Sequence, residues 1–171
     1  MKRNQKGFSL IEIIIAIALV GILAGVSVSM INHVHYANTK KTVEAVDSAL
    51  DKQQANTMSK VDKPYMYIYK LSDGYYMKEL TEELTAFDST KLDNNGTKIS
   101  GNGTQIYFES ESGTLLSGTK FIRICYKKSG IFNKDALGDG TKATNVDKIV
   151  VKGTGTYTIT LVEATGKHPI S

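Results

Sequence analysis

The chain opens on a long apolar run and then changes its pattern. From Phe8 to Ile31 every position is apolar, small or hydroxylic except Glu12. As a helix rising about 1.5 Å per residue, a run of roughly 24 positions is long enough to cross a bilayer core of about 30 Å. Beyond Asn32 the apolar residues thin out to Val43, Val46, Leu50 and Val61, which keep helical phase. Lys40, Lys41, Glu44, Asp47, Asp51 and Lys52 fall on the other faces. The pattern predicts one helix from about Phe8 to about Ser59, apolar in its first half and amphipathic in its second. Lys63-Pro64 ends it.

The remainder reads as a mixed region followed by strands. Tyr65-Met66-Tyr67-Ile68-Tyr69 alternates with period two and puts three tyrosines on one face of an extended segment, where aromatics would fill a small sheet and line its edge. Met77 to Phe87, with Leu80 and Leu84 four apart, suggests a short helix. Asn94-Asn95-Gly96 and Asn102-Gly103 are turn signals. Four strands are expected at Gln105–Glu109, Lys120–Lys127, Lys148–Lys152 and Tyr157–Val162. Loops at Ser112-Gly113, Gly138-Asp139-Gly140 and Gly153-Thr154-Gly155 join them, the last tight enough for a hairpin. An antiparallel sheet leaning on the amphipathic half of the helix buries both apolar faces. The expected class is therefore α+β: a long N-terminal helix packed on a small antiparallel sheet. The expected organisation is a leader (1–7), an apolar helix (8–31), its amphipathic continuation (32–60), a connecting region (61–103) and the sheet with a C-terminal loop (104–171).

Glu12 is the position that needs explaining. A carboxylate near the centre of a membrane helix costs about 2.5–3.5 kcal/mol by insertion scales, and less near an end. A secretory signal peptide would have a shorter apolar core closed by a small-x-small cleavage site. Here the run is longer and Ser29-Met30-Ile31-Asn32-His33 passes straight into a polar helical pattern. A plain signal anchor accounts for the length and for Lys2, Arg3 and Lys6, which hold the N-terminus on the cytoplasmic side. It leaves Gly7 and Glu12 without a role.

Lys6-Gly7-Phe8-Ser9-Leu10-Ile11-Glu12 resembles the processing motif of type IV prepilins and their pseudopilin relatives. The resemblance is sharp over about the first 35 residues and only architectural beyond about residue 60. It implies cleavage between Gly7 and Phe8 by a prepilin peptidase, methylation of the new amine on Phe8 by the same enzyme, and a pilin-like fold. After cleavage the Phe8 amine lies one helical turn from Glu12, and an amine on a neighbouring subunit would serve equally well as its partner. Setting register is the best-attested use of a buried ion pair, so Glu12 is expected to align incoming subunits. Ala18, Gly21, Gly25 and Ser29 fall in one angular stripe, with Gly21 and Gly25 as a G-x-x-x-G pair, and small residues there would let helices approach closely. The pilins of Gram-negative bacteria commonly carry a helix-breaking proline downstream of this glycine, whereas here no proline precedes Pro64. Local melting of the helix would then rest on Gly21 and Gly25, each of which weakens a helix by roughly 1 kcal/mol relative to Ala.

Composition narrows the functional classes. The formal charge of +4 falls to +1 when the three basic residues of the leader are removed, which argues against a dedicated nucleic-acid binder. Cys125 is the single cysteine, so no intramolecular disulfide is available, and it reads as a half-buried strand thiol. Many pilins of Gram-negative bacteria close a C-terminal loop with a disulfide. The lone cysteine and the Ile-, Lys- and Asn-leaning composition resemble instead the major pilins of Gram-positive anaerobes such as clostridia. The chain has no P-loop, Cys-x-x-Cys or nucleophile motif, so no catalytic residue, cofactor site or metal site is expected and the protein reads as a non-enzyme. His33 and His35 point to different sides of a helix, and His168 is remote from both in sequence. Asp135, Asp139 and Asp147 do not follow EF-hand spacing. Asn95-Gly96-Thr97 and Asn102-Gly103-Thr104 fit the glycosylation pattern but read as turns.

The expectation is a structural subunit, the major pilin of a type IV pilus. It would enter the membrane as a single-pass precursor with a cytoplasmic N-terminus, and a pilus assembly platform and its ATPase would draw it into a helical filament of identical subunits. The family's uses are adhesion, biofilm formation and motility. A pseudopilin of type II secretion or of DNA uptake would share the whole N-terminus. A single-pass receptor or enzyme domain on an inert anchor is the reading from another class.

Overall fold

The computed structural model describes residues 9–59, 65–109, 113–133 and 148–171, without the side chains of 26–35, 109 and 114. The chain divides into two compact units, Met1–Val34 and His35–Ser171. A single helix, α1 (Leu10–Ser59), begins in the first and ends in the second.

Over Leu10–Gly25, Glu12 apart, α1 is apolar on every side. Its large aliphatic side chains remain open, from 49% exposed at Ile13 to 78% at Leu10. A helix that is apolar all round has no single face to give to a core of its own chain.

In the second unit the helix has one buried stripe. Thr39, Thr42, Val43, Val46, Leu50, Gln53 and Thr57 recur at three- and four-residue steps, and all are buried. This stripe packs on two four-stranded antiparallel sheets. The first has the order β3 (Thr97–Ser100), β2 (Gly74–Leu80), β1 (Tyr65–Leu71), β6 (Phe121–Ile124). The second has the order β5 (Thr114–Leu115), β4 (Gln105–Glu109), β7 (Lys148–Lys152), β8 (Thr156–Thr160). Val43, Val46 and Leu50 share one core with Met66 and Ile68 of β1, Ile122 and Ile124 of β6, Phe108 of β4 and Val151 of β7.

β1 is buried on both faces, and its alternation shows how. Met66 and Ile68 belong to the core beneath the helix, while Tyr67 and Tyr69 form a second cluster with Tyr76, Leu84, Leu92 and Phe121. The segment 81–96 supplies Leu84 and Leu92 and covers that outer face. Its backbone polar groups are met from below. Tyr67 Oη donates to the Glu82 carbonyl (3.0 Å) and accepts from the Leu84 amide (2.8 Å), and Tyr69 Oη donates to the Asp93 carbonyl. Arg123 lies within the fold, donates to the Leu84 carbonyl (2.8 Å) and pairs with Glu83 (3.1 Å). The three tyrosines do share a face, with Tyr65 only half-buried at its rim.

The short helix expected over Met77 to Phe87 does not form. Met77–Leu80 belong to β2, which pairs with β1 from Tyr65↔Leu80 to Leu71↔Gly74, and 81–87 is irregular. The four-residue spacing of Leu80 and Leu84 was the only helical cue, and a full ladder of pairing with β1 overrides it. Ser72-Asp73 makes the turn, and Gly74 follows at φ +150°, where a Cβ would collide with the Ser100 carbonyl. Instead of one small sheet there are two, since β2 and β3 extend the first and β5 the second. Gln105–Glu109 and Lys148–Lys152 form as expected, and the other two strands form in shortened or shifted versions. Cys125, read as half-buried, is fully buried at the end of β6. The residues around Asn95 and Asn102 are turns. Lys63-Pro64, Val61 and the three loop aspartates Asp135, Asp139 and Asp147 lie outside the described residues.

Candidate functional site: the helix entrance at Ser9 and Glu12

The first turn of α1 is organised by its own side chains. Helical conformation starts at Leu10, so Ser9 caps the helix. The Ser9 amide donates to Glu12 Oε2 (2.8 Å), and the Glu12 amide donates to Ser9 Oγ (3.4 Å). The Ser9 carbonyl also accepts from the Glu12 and Ile13 amides, at 3.1 and 3.3 Å. This is a capping box. Two amide donors left orphaned by the start of the helix are satisfied reciprocally, and a carboxylate sits where the helix dipole favours negative charge. The Ser-x-x-Glu spacing that signals it is present in Ser9-Leu10-Ile11-Glu12. Reading Glu12 only as a partner for an amine overlooks Ser9.

Ala16, one turn beyond Glu12, leaves a shallow notch lined by Glu12, Ile13, Ala16 and Ile17. The Glu12 side chain is exposed, so the carboxylate stands within apolar surface and in reach of an incoming group. Ala18, Gly21 and Gly25 are exposed as well, and a Cβ built on either glycine meets nothing within 4 Å. The packing of the described residues therefore gives no reason for small residues at these two positions. Lys2, Arg3, Lys6, Gly7 and Phe8 lie outside the described residues, as do the side chains of Ser29, His33 and His35. Among the described residues no helix is long and apolar enough to cross a membrane, and no group of His, Cys, Asp and Glu is arranged to hold a metal ion. The described side chains of the apolar half stop at Gly25, short of the Phe8–Ile31 stretch that the sequence marks out.

His168 belongs to a different cluster in the second unit. Its imidazole is 8% exposed and faces Asp47 and Asp51 of α1. Nothing in the sequence pattern placed a C-terminal histidine against the helix.

The prokaryotic N-terminal methylation motif matches residues 2–28. That span takes in Lys2, Arg3, Lys6, Gly7, Phe8, the Ser9–Glu12 cap and the small residues Ala18, Gly21 and Gly25. No curated protein and no solved structure shows a significant match to the chain. The chain thus carries the type IV pilin-like prepilin signal, which supports a place in the type IV pilin and pseudopilin family.

Proposed function

We propose that this protein is the structural subunit of a type IV pilus, its major pilin. The observation that carries the proposal is the methylation motif over residues 2–28, with Glu12 standing free of any core beside the cleavage position. In this reading the precursor enters the membrane with Lys2, Arg3 and Lys6 on the cytoplasmic side. A prepilin peptidase cuts after Gly7 and methylates Phe8. An assembly platform driven by its ATPase then extracts the helix, whose apolar surface exchanges lipid for neighbouring helices. The exposed aliphatic collar from Leu10 to Leu23 supports this step, because such a surface in water would associate without order.

The capping box sharpens the role of Glu12. Before assembly its carboxylate is held by the Ser9 amide, so the precursor helix starts with an acceptor already in use. The Ser9 amide and a protonated amine both make charge-assisted bonds to a carboxylate, and the amine adds a full opposite charge. In the proposed filament that amine, from Phe8 of the same or an adjacent subunit, competes for the carboxylate and sets the register. Ala18, Gly21 and Gly25 let neighbouring helices approach. The surface uses are adhesion, biofilm formation and motility, and the lone cysteine fits a source among Gram-positive anaerobes.

Terminal sequencing and mass spectrometry of the protein recovered from sheared surface fibres provide the test. N-methylated Phe8 as the first residue, in fibres many subunits long, is the expected result. A chain that keeps Met1 sinks the proposal. A processed chain confined to short envelope-spanning rods would assign it instead to secretion or DNA uptake, since a pseudopilin carries the same motif.

A further inference from the structure

The exposed side of α1 in the second unit is divided by charge. Glu44, Asp47 and Asp51 recur at three- and four-residue steps and form an acidic ridge. Lys41, Ala45, Ser48 and Lys52 recur in the same way and form a basic ridge beside it. Glu44 and Asp51 stand well out, with side chains 62% and 71% exposed. Two basic groups accompany the acidic ridge: Lys40, 3.8 Å from Glu44, and His168, 3.3 Å from Asp51 and 3.4 Å from Asp47. A pair as long and exposed as Lys40–Glu44 contributes little, so the Glu44 carboxylate is open to another cation.

The basic ridge is one wall of a groove of about 660 Å³, whose other wall comes from β2 and β3 of the first sheet. Ala45, Ala49, Met77 and Ile99 give it an apolar floor, and Lys41, Lys52, Lys78 and Lys98 stand round it. At the Lys41 end the walls touch, with the Thr42 hydroxyl donating to the Ile99 carbonyl (3.1 Å). Lys78 is held by Asp93 and Lys98 by Asp73, each at 2.6 Å. Lys52 is 67% exposed and reaches Glu79 at 3.3 Å. Lys41 has no ion pair among the described residues. The helix wall therefore carries the two ammonium groups most open to a new partner.

We propose that this groove receives the acidic ridge of a second copy of the chain, so that Glu44 and Asp51 of one subunit meet Lys41 and Lys52 of the next. The inference rests on the pilus reading above and names a contact between neighbouring second units. Charge complementarity decides the occupant. Ridge and groove lie on different flanks of one helix, so every copy offers both and the contact is heterologous. It leaves one ridge and one groove free at the ends of any run of copies, as an open filament needs. Groove against groove, or ridge against ridge, would repel, and this fixes the direction of stacking. A polyanion such as polyphosphate suits the groove less well. Lys78 and Lys98 already have carboxylates, and phosphate gains nothing from the apolar floor, whereas a protein surface can cover it.

The test is a reversal and exchange of charge in the full chain, read as the yield of fibres sheared from cells. Lys41→Glu with Lys52→Glu, and separately Glu44→Lys with Asp51→Lys, should each lower that yield about tenfold or more, because like charges then face across the contact. All four changes in one chain restore opposite charges and should return the yield to within about threefold of native. Lys41→Glu alone breaks no ion pair among the described residues. It should lower the yield in the same direction while the urea midpoint of the unassembled chain in detergent micelles stays unchanged. Native yield in both reversed pairs overturns the proposal, and so does a combined variant no better than either pair. Reversed pairs that keep their fibres but lose adsorption to long-chain polyphosphate overturn it in favour of a polyanion site. Methylated Phe8 at the start of the native fibre chains upholds the pilus reading even where this contact fails, and its absence overturns both.

Discussion

Ile22 and Leu50 lie on the same helix, yet Ile22 is 65% exposed and Leu50 is wholly buried. The helix therefore carries two different kinds of surface. From Thr39 to Thr57 one stripe of apolar, threonine and glutamine side chains is buried, its apolar members matched by the inner faces of two sheets, and the lysines and Glu44 are left to water. From Leu10 to Gly25 no such division exists. The described part of the chain supplies no cover for those side chains; in the proposed pilus, lipid and then neighbouring helices would supply it. The difference separates folding from assembly along one element. Substitutions in the stripe should act on stability, and substitutions in the collar on insertion or polymerisation.

The sharpest way to break that division is a paired truncation. Leu50→Ala should destabilise the second unit by about 2–5 kcal/mol, the usual cost of emptying a closed core site. Ile22→Ala should leave the denaturation midpoint unchanged within about 0.5 kcal/mol while altering filament yield. Equal effects of the two on urea unfolding would erase the distinction. A smaller effect is expected at the outer cover of the first sheet. Arg123→Met removes the donor to the Leu84 carbonyl and should cost about 1–3 kcal/mol, with new protease cuts within 81–96. At the other end, Ser9→Ala deletes one half of the capping box. It should loosen the first turn by about 0.5–1 kcal/mol, visible as faster exchange at the Glu12 and Ile13 amides with no change in the second unit.

Two pH dependences refine the picture of the second unit. Burial pushes the phenols of Tyr67 and Tyr69 up to about 12. A raised pKa in the fold means that the stabilisation is complete below the ordinary tyrosine value of about 10 and is lost as pH climbs toward 12. Melting temperatures from pH 9 to pH 11.5 should fall, and the joint change Tyr67→Phe with Tyr69→Phe should blunt that fall. The opposite sign holds for Asp93. The Lys78 ammonium, bonded at 2.6 Å, holds its carboxyl below the usual aspartate range. Its stabilisation is present above about pH 4 and is lost as pH drops through the lowered value. This effect is the smallest expected, because both side chains keep partial contact with water, which screens the pair. It should show as faster exchange at the Asn95 amide at pH 3 than at pH 5, and Lys78→Met should remove the difference.

Periodicity carried the parts of the fold whose cues lie close together in sequence. The helix end near Ser59, the β1 alternation and two strands with their full bounds were legible because three- and four-residue or two-residue spacing reports the face directly. β2 was not, since Gly74-Tyr75-Tyr76-Met77-Lys78-Glu79-Leu80 mixes polar and apolar residues on a strand flanked on both sides. Its partner β1, not its own pattern, selects its conformation. The buried arginine could not have been foreseen either. Arg123 reads as the polar member of a half-exposed strand, and only the segment folded over Tyr67 and Phe121 gives it a carbonyl and a carboxylate. At the N-terminus the Ser-x-x-Glu spacing of Ser9 and Glu12 is a local signal, visible in the sequence, and the structure forms the capping box it encodes.

By itself, then, the sequence determined the apolar run, its lone carboxylate, the basic residues before it and the existence of a helix with two characters. These depend on local composition and on neighbours within one or two turns. Tertiary structure alone decided that there are two sheets, that 81–96 roofs one of them, and that His168 rests between Asp47 and Asp51. Those outcomes join residues up to more than a hundred positions apart, and the energy of burying and hydrogen-bonding them exists only once the intervening chain has closed around a shared core.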